Sequence, residues 1–218
     1  MLKSCPKAED SSHLKVGGIT PLTTIDYPDA LSAVIYCQGC PLKCDYCHNP
    51  ELIPREATTP IPWHEIVSFL DQRRGLLDAV VFSGGEPTLQ SALPAAVKTI
   101  KKMGFLVGLH SAGPYPQRFA ALLPYLDWVG LDIKALAEDY AALTGSANSG
   151  RAAWQCAEML IDSGIPHQIR TTRHPLNSPP DKQKMLIKRL LTLGKIDHKW
   201  QTCRSSDGQN TQYEIAGS

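Results

Sequence analysis

Residues 31–50 read Leu31-Ser-Ala-Val-Ile-Tyr-Cys37-Gln-Gly-Cys40-Pro-Leu-Lys-Cys44-Asp-Tyr-Cys47-His-Asn-Pro50. The first seven residues form a short, mostly apolar run with the look of a buried strand. The chain then passes at once into a loop, so that four cysteines, the strand's last residue and three in the loop, fall between positions 37 and 47. A strand delivering chemically active side chains at its carboxyl end is the arrangement of parallel α/β sheets, where ligands sit beyond the strand ends.

The rest of the chain repeats the pattern. Further strand-like runs occur at 78–83 (DAVVFS), 105–110 (FLVGLH), 127–133 (DWVGLDI), 167–172 (HQIRTT) and, more weakly, 198–203 (HKWQTC). Between them lie amphipathic segments of helix length at 63–74, 90–103, 116–126, 150–163 and 181–193. Gly75, Gly104, Gly164 and Gly194 follow periodic stretches, where a helix ends in a left-handed residue. Alternation of strand and helix about six times predicts parallel strands joined by right-handed crossovers. Six units fall short of a closed eight-stranded barrel, so the expected fold is α/β, an open partial (β/α)6 barrel with its site at the strands' carboxyl ends.

Composition bounds the function classes. A chain of 218 residues that is 43% hydrophobic fits one domain, here 15–203, between polar and flexible ends at 1–14 and 204–218. The net charge of +1 offers no global field for nucleic acid or a membrane surface. Spanning a bilayer takes roughly 20 apolar residues, and no run approaches that length. The start, MLKSCPKAEDSSH, lacks a secretory signal, so a cytoplasmic location is expected. There, seven cysteines are poor candidates for disulfides, and the four clustered ones read as ligands or redox groups.

A zinc site needs two ligand pairs a dozen or more residues apart; three residues between pairs is too tight. Closely spaced thiolates suit an iron–sulfur cubane, each iron taking one cysteine. If three cysteines bind, one iron stays open to chelate a small molecule through amino and carboxylate groups. A structural knuckle or a plain electron-transfer cluster remains an alternative on the loop alone. The C-x3-C-x2-C spacing of Cys40, Cys44 and Cys47, with the aromatic Tyr46 before the last cysteine, resembles the cluster loop of the radical S-adenosylmethionine superfamily. Only this triple, and not Cys37, Cys40 and Cys44, matches that order. Cys37 closes the strand and is assigned to the core or to a supporting position.

Other segments extend the resemblance. Ser83-Gly84-Gly85-Glu86-Pro87 follows the second strand; its glycines let backbone approach a ligand, and Glu86 offers an acceptor for an ammonium group. It resembles the superfamily's Gly-Gly-Glu motif for the cofactor's methionine amino group. Asp132 and Lys134 alternate with Leu131 and Ile133 on the fourth strand and so share the face toward the barrel mouth. Asp-x-Lys resembles the motif that positions the cofactor in glycyl-radical-enzyme activases, although an ordinary ion pair would look the same. Arg170 matches an activase position near the cofactor carboxylate, a task suited to a permanently charged fork. Arg173 and His174 read as loop surface. The third strand ends His110-Ser111-Ala112-Gly113 where related activases carry an acidic residue, then Thr-Asn-Gly; Ser111 is the candidate cofactor contact and His110 a core or rim imidazole. Cys156, on an amphipathic helix, reads as core, and Cys5 and Cys203 are isolated.

The resemblance implies a [4Fe-4S] cluster and S-adenosyl-L-methionine as cofactors, with reductive cleavage to methionine and a 5'-deoxyadenosyl radical that abstracts hydrogen from carbon. The run from Gly17 to Ile53 is similar to the activating proteins of anaerobic (class III) ribonucleoside-triphosphate reductase. The implied partners are that glycyl-radical protein and an electron donor such as flavodoxin or ferredoxin, with neither nucleic acid nor membrane involved. Unlike some other activases, residues 51–74 carry no ferredoxin-type cysteine insert. Two rival readings stay open: a radical enzyme acting on a small molecule or another glycyl-radical protein, and a non-enzymatic iron–sulfur carrier.

Overall fold

The structure is a computed structural model that describes residues 10–58 and 60–202. Cys5, Cys203, the flexible segment expected at 204–218 and most of that expected at 1–14 lie outside the described residues. Among the described residues seven strands form one sheet in sequential order: β1 (Val16–Thr23), β2 (Ser32–Cys37), β3 (Ala79–Gly84), β4 (Leu106–Ser111), β5 (Trp128–Asp132), β6 (His167–Thr172) and β7 (His198–Gln201). From β2 to β7 every pairing is parallel. Helices α1 (Trp63–Asp71), α2 (Leu93–Lys102), α3 (Pro116–Leu122), α5 (Ser149–Ser163) and α6 (Pro180–Leu191) occupy the five crossovers, as the alternation predicts. Among the described residues, strands β1 and β7 are the edges of an open partial barrel.

Two elements escape the apolar pattern. Strand β1 pairs antiparallel with β2 although its sequence carries Gly17, Gly18 and Pro21. Pro21 sits where the register slips between Thr20 and Thr23, on an edge where a missing donor is tolerated. The second is α4 (Tyr140–Thr144), too short to show a period. The expected glycine stops hold: Gly164 caps α5 at φ 69°, and Gly75, Gly104 and Gly194 also have positive φ.

Strand alternation sends side chains to two different environments. Ala33, Ile35, Cys37, Val80, Phe82, Leu109, Val129, Leu131 and Ile169 point into the helices and join Trp63, Ile66, Leu93, Ile100 and Trp154 in the main core. Leu14, inside the polar lead-in, also belongs to it. On the other face Val34, Val81 and Trp128 form a small second cluster with Tyr27 from the loop after β1. The Tyr27 and Trp128 ring centroids lie 5.8 Å apart, and Gly108 makes room beneath, since a Cβ there would come within 3.1 Å of the Tyr27 ring. That loop fills one end of the inner face and leaves the strands' carboxyl end open.

Leu131 is fully buried at the centre of this packing. Leu131→Ala is expected to destabilise the cluster-free protein by about 2–5 kcal/mol, measured by denaturant unfolding; a loss under about 0.5 kcal/mol, the scale of surface changes, would contradict its place in the core.

Candidate active site

The cysteine loop is stitched to the β3 turn by backbone. Parallel register places Cys37 beside Gly84; the Gly85 N–H then donates to Cys37 O (2.9 Å) and the Glu86 N–H to Gly39 O (2.9 Å). This approach requires glycine. Gly84 has φ 110°, and a Cβ on it would lie 2.6 Å from the Cys37 nitrogen; a Cβ on Gly85 would lie 2.8 Å from Gly39 C and Leu52 O. On the loop's far side, Gly39 and Cys40 N–H groups donate to Leu52 O and Ile53 O. The buried Gln38 amide fixes the same segment through Glu51 O (2.9 Å) and Pro54 O (2.7 Å). Lys43 N–H reaches Thr144 O at the end of α4.

Thus held, Cys40, Cys44 and Cys47 line one cleft of about 910 Å³, counting its open mouth, together with Tyr46, Gly84, Gly85, Ser111, Asp132, Lys134 and Arg170. Cys37 does not: it shares the helix-facing side of β2 with Ile35, is fully buried, and burial pushes its thiol pKa far up. Burial also raises Cys40 to about 12 and Cys44 above its ordinary value, though Lys134 opposes the rise at Cys44.

Asp132, at the end of β5, is paired in register with Arg170 of β6. Arg170 Nε lies 2.9 Å from Asp132 Oδ1, and Lys134 Nζ 3.7 Å from Oδ2. Burial works to raise the Asp132 pKa, but Arg170 and Lys134 together hold it below the usual carboxylate value. Lys134 also sits over the Tyr46 ring, 5.4 Å from its centroid; burial opposes its charge, yet Tyr46 and Asp132 keep it protonated well above the ordinary lysine range. The Tyr140 hydroxyl of α4 accepts the Lys134 N–H (2.8 Å) and fixes the backbone just past β5.

Glu86 departs from expectation. Instead of offering its carboxylate to the cleft, it is fully buried and accepts from Thr88 N (3.0 Å), Thr88 Oγ1 (2.5 Å), Ser111 Oγ (2.8 Å) and Ala112 N (2.9 Å). Burial raises its pKa despite these donors. The carboxylate thus ties the β3 turn to the end of β4, and Gly84 and Gly85 present backbone to the cleft. The Ser111 hydroxyl is committed to the same tie, donating to Glu86 and accepting from Gly113 N (3.0 Å).

His110 lies in the cleft wall between Ser83 Oγ (3.4 Å) and Asp26 O (3.1 Å), edge-on to Trp128. Burial, reinforced by Arg170, lowers its pKa to about 3, so it stays a neutral, bonded imidazole. Arg173 lies over the Trp200 ring, as a rim residue would. His174 does not fit the loop-surface reading: it is buried and bonds Asp45, inside the cysteine loop. Its burial depends on a turn closed by Asn177, which no apolar period announces. The cleft opens past Cys47, Ser83 and Arg170 into a basin of about 2400 Å³, counted to its open mouth, walled in part by Tyr27, Tyr36, Trp128 and Trp200.

Residues 34–185, which contain the cysteine loop, the glycine turn and all the charged cleft residues, match the model of the Radical SAM superfamily. The chain belongs to the radical SAM superfamily. The radical SAM chain is 38% identical over 128 residues to a putative glycyl-radical enzyme activating enzyme of Methanocaldococcus jannaschii, covering 57% of this chain and 52% of that one. It is 30% identical over 142 residues to the pyruvate formate-lyase-activating enzyme of Clostridium pasteurianum, covering 62% and 59%. It thus spans little more than half the length of these relatives. Among solved structures, Streptococcus suis SuiB bound to S-adenosylmethionine superposes with a TM-score of 0.64 at 18% identity, over 81% of this chain and 41% of that chain. At that identity the likeness is one of fold.

The family's cofactors are a [4Fe-4S] cluster and S-adenosylmethionine. The donor set suits them: three thiols line the cleft and, among the described residues, no fourth cysteine does. One thiol for each of three irons is the ligation an iron–sulfur cubane takes.

Cys→Ala changes at 40, 44 and 47 are each expected to abolish the cluster absorption after anaerobic reconstitution, whereas Cys37→Ala keeps it. Retention in Cys47→Ala with loss in Cys37→Ala would reverse the ligand assignment. Gly85→Ala is expected to cut cluster incorporation at least several-fold by pushing Gly39 away, read as iron per chain; full loading would contradict the close approach.

Proposed function

We propose that this chain activates a glycyl-radical protein, and that its target is anaerobic (class III) ribonucleoside-triphosphate reductase. Cys40, Cys44 and Cys47 would hold a [4Fe-4S] cluster, three thiols for four irons, and the cleft beside them would take S-adenosylmethionine. When bound and reduced, the cluster and S-adenosylmethionine supply a 5'-deoxyadenosyl radical.

The chain's own residues prepare the cleft. Gly84 and Gly85 offer backbone to the methionine end without side-chain obstruction, and Glu86 keeps that turn rigid through Thr88, Ser111 and Ala112. Asp132 with Lys134 and Arg170 gives one anion and two cations, a set complementary to a zwitterionic amino-acid moiety. Tyr46 lends an aromatic face, and neutral His110 adds no competing charge. The Tyr27 and Trp128 rings give the basin part of an apolar wall next to the cleft.

The observation that carries the reading is one cleft joining three thiols, a glycine turn and the Asp132–Lys134–Arg170 triad, next to a basin open enough to admit a polypeptide loop. The reductase is favoured by the run from Gly17 to Ile53 and by the absence of a ferredoxin-type insert over 51–74. The pyruvate formate-lyase-activating enzyme of Clostridium pasteurianum supports a second target, pyruvate formate-lyase. An electron donor such as flavodoxin or ferredoxin would supply the reducing electron.

The test is anaerobic incubation with reductant, S-adenosylmethionine and each candidate protein in turn, followed by electron paramagnetic resonance. A glycyl doublet on the reductase is expected; a doublet on pyruvate formate-lyase alone would move the target, and none on either would overturn the activase reading. Asp132→Asn and Lys134→Ala should leave the cluster spectrum intact and weaken S-adenosylmethionine binding about 10-fold, near 1.4 kcal/mol. Wild-type affinity in both, by calorimetry, would reduce the triad to a structural ion pair.

A further inference from the structure

We propose that His174 is a positioning residue for the cluster: it clasps the Cys44–Cys47 arm of the cysteine loop through Asp45 and holds both thiols toward the cleft before and after iron enters. Its Nε2 lies 3.1 Å from Asp45 Oδ2, a contact between residues 129 positions apart. The His174 Nδ1 accepts the Leu176 N–H (3.2 Å), which puts the ring proton on Nε2, so the imidazole donates to the carboxylate.

The clasp is anchored on its far side. Asn177, 2% exposed, accepts the His174 N–H on Oδ1 (2.9 Å), and its Nδ2 donates to Lys134 O (2.8 Å) and Thr172 O (2.8 Å). One turn thereby joins the carboxyl ends of β5 and β6 and delivers a buried imidazole to the loop after β2. The His174 ring also lies 5.6 Å from that of Tyr46, the residue following Asp45. The first half of the loop is fixed by backbone bonds from Gly39, Cys40 and Lys43 to other segments. The second half carries its own Cys47 N–H to Cys44 O bond (3.2 Å), the Tyr46 ring packed on the core beneath Lys134, and this side-chain clasp. Asp45 itself is mostly exposed, its side chain 69% accessible, so a purely structural core pair does not describe it. Residues that orient metal ligands from behind set how firmly the metal is kept.

The measurement is anaerobic iron release from reconstituted protein to a ferrous chelator, without S-adenosylmethionine or any partner, so its outcome is independent of the activase reading. Thermal melting of the cluster-free chain is followed in parallel. His174→Ala and Asp45→Ala are each expected to release iron about 10-fold faster than wild type. Their double variant should be no faster than either single one, because both remove the same bond. Asp45→Asn, which keeps a neutral acceptor, should recover most of the retention. Should His174→Ala melt early, Asp45→Ala decides, since its exposed side chain supports no core. Release within twofold of wild type in Asp45→Ala, or effects of the two changes that multiply, would overturn the proposal.

Discussion

Everything at the functional end of this molecule depends on how closely the main chain of the cysteine loop can approach the turn that follows β3. Two backbone hydrogen bonds, from Gly85 to Cys37 and from Glu86 to Gly39, hold the two segments together, and the space between them is smaller than a methyl group. A parallel pair of strands running in register from Ser32 and Ala79 to Cys37 and Gly84 delivers both segments to the same height. With the glycines in place, the thiols of one loop and the exposed backbone of the other face one cleft. Any side chain at Gly85 would separate them, whatever else the sequence retained.

Charge is organised by the same sheet. Because β5 and β6 are parallel and in register, Asp132 and Arg170 meet across a strand pair, while Lys134 reaches the same carboxylate from two residues later. The cleft therefore holds a partly buried anion between two cations before any ligand arrives. Such groups are costly to bury unless paired. Their arrangement at the mouth, and not within the helix-covered core, suits an exchange of partners when a zwitterion binds.

Much of this was legible in the sequence because it follows short periods. The strands β2 to β6 are apolar runs bounded by turn residues, side-chain alternation puts Asp132 and Lys134 on one face, and the place of Cys37 at the end of its strand marks it as core or support. Strand β1 was not legible, since glycines and a proline mask an edge strand whose pairing is supplied by β2. Glu86 was legible as a motif but not in its orientation: Thr88, Ser111 and Ala112 draw the carboxylate inward, and two of these come from a different strand end. His174 was read as loop surface for a related reason, its burial arising from a turn that only Asn177 and the carbonyl groups of Lys134 and Thr172 define.

The central claim is a cluster held by three protein thiols with one iron left open to S-adenosylmethionine. Electron paramagnetic resonance of the reduced, reconstituted chain, recorded with and without S-adenosylmethionine, tests it most directly. The account predicts a changed cluster signal on adding the cofactor, because the open iron gains ligands. An unchanged signal at saturating S-adenosylmethionine, with four irons per chain verified, would mean that no corner is open and would contradict it.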